Sequence, residues 1–79
     1  EQQRQFEEAA ALYERILPDA ENIGFKDKYM LFAALCLEKA GKTDRAVQMY
    51  KSLLAEFEFS EYAADAKAGL ARLGTVVEY

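Results

Sequence analysis

An all-α chain of about four helices is what this sequence predicts, and three observations predict it. Alanine, leucine, glutamate and lysine, all strong helix formers, dominate the composition. One proline and four glycines leave too few turn residues for a chain of many short strands. Apolar residues recur at i, i+3, i+4 and i+7, the spacing of one helix face, with single glycines between the runs. The 79 residues make one domain, 1–79. A domain of this size buries only about 60% of its extended-chain surface, so its stability is modest.

The first helix is expected over 3–17. In "QRQFEEAAALYERIL", Phe6, Ala9, Ala10, Tyr13, Ile16 and Leu17 share one face. Pro18 is expected to end it, and "PDAENIG" to form a loop of turn-favouring residues. A second helix is expected over 27–40, with Asp27 as its N-cap and Gly41 at the position where a helix-ending glycine belongs. Thr43 or Asp44 should cap a third helix over 43–57. "EFEFS" alternates like a strand but has nothing to pair with, so it reads as a frayed helix end and a turn. Ser60 should then cap a fourth helix, 61–73, with Ala63, Ala66, Leu70 and Leu73 inward and Gly74 as its stop. The tail, 74–79, is short and β-prone, and its residues assign it no state. Short connections make neighbouring helices antiparallel.

The helices repeat. Arg4–Leu17 lies over Gly41–Leu54 without a gap, setting Ala9 on Ala46, Tyr13 on Tyr50, Ile16 on Leu53 and Leu17 on Leu54. The second helix lies over the fourth, with Met30, Ala33, Ala34 and Leu37 on Ala64, Lys67, Ala68 and Ala71. The offsets are 37 and 34 residues, which a longer loop after Leu17 would explain. Periods of this size are the mark of stacked helical hairpins.

Residues Asp27–Ser60 resemble one tetratricopeptide repeat, whose 34-residue pattern runs W-x2-L-G-x2-Y…A-x3-F…P. Met30 takes the large apolar slot, Ala33 and Ala34 the L-G slot, Leu37 the Tyr slot and Gly41 the turn between helices. Ala46 takes the small slot and Tyr50 the aromatic one, while Glu58 replaces the closing proline. Gln5–Leu17 looks like the second helix of a preceding repeat and Glu61–Leu73 like the first of a following one, so the resemblance covers about four-fifths of the chain. It implies a short α-solenoid in which Ala34 and Ala46 permit close approach, and Tyr50 with Leu53 and Leu54 fills the space beside them. The stretch "GKTDRAVQMYKSLLAEFEFSEYAADAK" is also similar to repeats of bacterial cell-envelope proteins. These include the Tol-Pal cell-division coordinator and the outer-membrane assembly lipoprotein, in which "Y…FP.S.YA..A" recurs.

In that family the first helix of each hairpin lines a groove. The resemblance places Lys28, Leu31, Leu35, Glu38 and Lys39 on it, followed by Tyr62, Asp65, Gly69 and Arg72. The Lys, Asn and Arg clamp by which chaperone-binding members hold a terminal carboxylate is missing here, where Leu31, Leu35, Asp65 and Gly69 stand instead. A floor of Leu31, Leu35 and Tyr62 suits an apolar helix or extended segment of a partner. The alternative is that Leu31 and Leu35 are covered by the rest of the parent protein or by another helix of the solenoid.

Other classes of function find little support. The chain has no His, which removes imidazole triads and imidazole metal sites. Its one cysteine, Cys36, can form no internal disulfide and sits between Leu35 and Leu37, where a thiol behaves as a small hydrophobe. The glycines are scattered singly, so no phosphate-cradling loop is present. Acidic pairs at Glu7–Glu8, Glu56–Glu58 and Glu61–Asp65 could be read as glycosidase carboxylates, but solvated helix faces account for them better. A net charge of −4, with Lys and Arg scattered among acids, argues against nucleic acid as a partner.

No apolar run approaches the roughly 20 residues that would span a bilayer, so this segment is not expected to insert. The first residue is Glu rather than Met, from which a segment of a longer protein is expected. Neither a cytoplasmic nor a bacterial periplasmic or cell-envelope location is assigned. The expectation is thus a non-catalytic scaffold for a protein or peptide partner, without cofactor. The alternatives are a module that self-associates through exposed repeat ends and a regulatory region of a larger enzyme.

Overall fold

The computed structural model describes residues 2–74, and the β-prone tail at 75–79 lies outside them. Four helices follow in order: α1 (Gln2–Ile23), α2 (Lys26–Lys39), α3 (Thr43–Glu56) and α4 (Ala63–Arg72). The fold is all-α, and the described residues include no strand. Each helix packs on its neighbours in sequence, and α2 also touches α4. The result is a flat body of 37 × 32 × 15 Å.

The first helix departs from expectation. Pro18 does not end α1, which runs on to Ile23, so the residues expected as a loop are helical. A proline inside a helix removes one backbone bond and crowds the preceding turn. Pro18 is exposed, however, and the helix continues past it. The stop comes instead at Gly24, whose φ of +82° only glycine adopts without strain. Phe25 alone then separates it from α2. The segments 18–25 and 55–62, which lead from Leu17 to α2 and from Leu54 to α4, are thus equal in length, and the longer loop expected after Leu17 is absent.

The turn between α2 and α3 is built as the glycine pattern suggests. Gly41 has φ +81°, its N–H donates to the Glu38 carbonyl at 3.1 Å, and the Lys42 N–H donates to Leu37 at 2.9 Å. This pair of bonds closes the helix end and reverses the chain within three residues. The expected caps differ. Asp27 lies inside the first turn of α2, which follows Phe25, and α3 follows Lys42 with no side-chain cap. The fourth helix begins two residues later than expected, at Ala63, because Ser60 caps a turn: its hydroxyl accepts the Tyr62 N–H at 3.0 Å.

The core gathers Met30, Leu31, Ala34 and Leu37 of α2, Ala46, Tyr50, Leu53 and Leu54 of α3, Ala63, Ala66 and Leu70 of α4, and Ala10 of α1. Ala33 is fully buried as well. Each large apolar side chain so buried contributes about 1.5–3 kcal/mol. Ala46 and Tyr50, expected to lie where helices pack, are both fully buried.

Two alignments made from sequence meet different environments. On α1, Ala9, Tyr13 and Leu17 are half-buried and Ile16 is exposed, whereas their counterparts on α3 are covered. On α4, Ala63, Ala66 and Leu70 point inward as expected, with Leu73 packed beside them. Ala64, Lys67, Ala68 and Ala71 are exposed, so their alignment with Met30, Ala33, Ala34 and Leu37 matches an open face to a covered one. The reason is register: the covered residues of α4 are Ala66, Gly69, Leu70 and Leu73, which match Met30, Ala33, Ala34 and Leu37 at an offset of 36 residues rather than 34.

Candidate interaction face

The residues expected to line a groove divide into three groups. Leu31 belongs to the core, with only 5% of its surface exposed, so it does not floor an open groove. Gly69 is also buried, against the Tyr50 ring; a Cβ there would lie 2.6 and 2.8 Å from two of its ring carbons. Sequence reasoning placed Gly69 on the groove, while its contact is with α3. The signal was a lone glycine in mid-helix, which costs about 1 kcal/mol relative to alanine and usually answers to packing.

Glu38 and Arg72 form the second group. The Arg72 guanidinium meets the Glu38 carboxylate through two bonds, Nε to Oε2 at 3.1 Å and the terminal nitrogen to Oε1 at 3.0 Å. The Tyr50 hydroxyl donates to the same Oε1 at 2.8 Å. One carboxylate thereby joins α2, α3 and α4. Hydrogen bonding from Arg72 holds the Glu38 carboxyl below its usual range, aided by Tyr50 and opposed by partial burial. Burial, then Glu38, pushes the Tyr50 hydroxyl well above its usual value. A second tie lies at the other end of α2, where the Ser60 hydroxyl donates to Asp27 Oδ2 at 2.6 Å. Sequence reasoning missed both ties, because they join residues 33 and 34 apart on different helices.

Lys28, Leu35, Lys39, Tyr62 and Asp65 remain at or near the surface. Lys28, Leu35 and Lys39 fall on one side of α2, opposite Met30 and Leu37. Phe32, half-buried on that same side, was missed by sequence reasoning; its ring meets Tyr13 of α1 at 5.6 Å between centroids. Both lysines lie over rings. Lys28 Nζ is 5.8 Å from the centroids of Phe25 and of Phe32, and Lys39 Nζ is 5.3 Å from that of Phe6. Across from them, partial burial and the carboxylates of Glu61, Asp27 and Asp65 raise the Tyr62 hydroxyl. The face therefore carries Lys28 and Lys39 on α2, and around Tyr62 the acids Asp27 of α2, Glu61 of the turn and Asp65 of α4.

The opposite face is a cleft between α1 and α3 lined by Glu14, Leu17, Arg45, Gln48, Met49 and Ser52. Its Arg45 donates to both oxygens of Glu14 at 2.8 Å, so its strongest polar groups already satisfy each other. Cys36 is half-buried, and burial raises its thiol against a smaller opposing effect of Lys39, which leaves it protonated at neutral pH. Of the acidic pairs, Glu7 faces Lys42, Glu8 faces Arg4 and Glu56 faces Lys26. Among the described residues no group of three His, Cys, Asp or Glu could hold a metal ion. No helix among them is long and apolar enough to cross a membrane. No protein family, curated protein or solved structure matches this chain.

Proposed function

We propose that this chain is a non-catalytic interaction module of the tetratricopeptide type, which holds a peptide or helix of a partner protein against α2 and α4. The observation that supports this reading most is the Glu38–Tyr50–Arg72 junction. Together with the Asp27–Ser60 bond it holds α2 and α4 side by side before any partner arrives. A preorganised face loses less entropy on binding than one ordered by its ligand. Lys28, Leu35 and Lys39 on α2, with Tyr62 just before α4 and Asp65 on it, are the residues this face offers. The likeness to cell-envelope repeats rests on Phe57, Ser60, Tyr62, Ala63 and Ala66, which build the turn from α3 into α4. It therefore speaks for the fold more than for the partner.

Selection from a displayed random-peptide library tests this reading. Selected peptides should lose binding to Leu35→Asp, whose helical circular dichroism stays intact, and keep binding to Gln48→Ala on the opposite face. Peptides indifferent to Leu35→Asp would place the binding face elsewhere. A second reading, self-association, draws support from Leu12 and Ile16, which leave an apolar strip exposed on α1. A sedimentation coefficient independent of concentration would remove it.

A further inference from the structure

In a protein of net charge −4, the open side of α2 carries two lysines that, among the described residues, form no ion pair. Lys28 and Lys39 are about three turns apart on nearly the same bearing, roughly 16 Å along the axis. Phe32 and Leu35 lie between them on the same side. Phe25, Phe32 and Phe6 flank the ammonium groups and restrict where each can go. A ring covers only part of an ammonium, which has three donors, so each lysine still has N–H groups to offer. The carboxylates on α2 have partners of their own: Glu38 is held by Arg72, and Asp27, which keeps its charge, accepts from the Ser60 hydroxyl and the Lys28 backbone N–H.

We infer that the open side of α2 selects a partner segment that is apolar in its middle and acidic at both ends, one carboxylate meeting Lys28 and the other Lys39. This rests on the proposed function above and names the chemistry of its partner. The apolar middle covers Phe32 and Leu35. Three turns of helix, or about five residues of extended chain, span the distance between the lysines. Glu61, in the turn before α4, and Asp65 on α4 lie near Tyr62 and repel a segment that is acidic throughout, so the partner's acids are confined to the ends. The same repulsion, with only two lysines on the strip, disfavours a nucleic-acid backbone.

Fluorescence anisotropy with three labelled probes tests this on the full chain. The first is a helical Ala/Gln peptide with two central leucines and a Glu near each end. The second has Lys in place of each Glu, and the third is a short oligothymidylate. The Glu probe should bind about tenfold tighter than the Lys probe, as two partly exposed charge pairs allow. High salt should remove that preference, and so should Lys28→Ala combined with Lys39→Ala, with helical circular dichroism unchanged. Equal binding of the two peptides would overturn the inference and leave the scaffold reading standing. Failure of both peptides to bind would overturn this face as the scaffold's site along with it. Oligothymidylate binding that the same double substitution abolishes would replace the peptide with a nucleic acid.

Discussion

The Tyr50 ring lies flush against the backbone of Gly69, with no room for a Cβ between them. Tyr50 is fully buried, and its hydroxyl still reaches Glu38 at the edge of the core. The α3–α4 contact thus depends on a large side chain facing an absent one. Gly69→Ala should force the ring or α4 to move, which costs about 1–3 kcal/mol in overpacked cores, offset by about 1 kcal/mol of helix propensity. A urea midpoint above that of the wild type would show that the contact is loose, since only the gain in helix propensity would remain.

Tyr50→Phe keeps the ring and removes the hydroxyl. Glu38 retains Arg72, so no buried charge is stranded, and a loss of about 1 kcal/mol is expected. The raised hydroxyl also has an alkaline consequence. Its stabilising effect is complete below the unfolded value of about 10 and is lost as pH rises above it. The phenylalanine variant should therefore lose less stability than the wild type between neutral pH and strong alkali, as thermal melts across that range would reveal.

Glu38 acts at the acid end. Its carboxyl is held down in the folded chain, so its contribution is present above the unfolded value of about 4.3 and fades as pH falls below it. Glu38→Gln should flatten that part of the acid denaturation curve. Because Arg72 is half exposed, the expected difference at neutral pH is only about 1 kcal/mol. An unchanged acid limb would mean that the ion pair adds nothing in solution.

Ala46 is fully buried between α2 and α3. Ala46→Leu should part the two helices and cost about 1–3 kcal/mol. An unaltered melting temperature would show a void there that the packing conceals.

Leu31 and Leu35 separate structure from recognition. Leu31→Asp buries an unpaired carboxyl in the core and should cost about 3 kcal/mol or more, enough to unfold much of a small domain. Leu35 is half-buried, and Leu35→Asp should leave most of the helical signal at 222 nm in place. Equal loss of helix in both variants would put Leu35 in the core as well.

Local chemistry was legible in the sequence wherever one residue type decides the outcome. The apolar period revealed four helices, Gly41 and Gly74 marked two ends, and Ala46 with Tyr50 marked a close helix contact. Pro18 misled because a proline in an exposed turn costs a helix less than one in a packed turn, and exposure follows from neighbours. The caps at Asp27 and Ser60 misled for a related reason, since each side chain bonds to the other across the fold.

The candidate interaction face was the least legible. Helical spacing puts Leu31 and Leu35 on neighbouring bearings, and only the packing of the helices covers the first more than the second. Likewise Glu38 and Arg72 read as two groove charges until the packing of α2 on α4 brings them together over Tyr50. Spacing along a chain determines which residues share a helix face. Which of those faces is covered, and which charges meet, depends on how helices distant in sequence dock, and that only the tertiary structure decided.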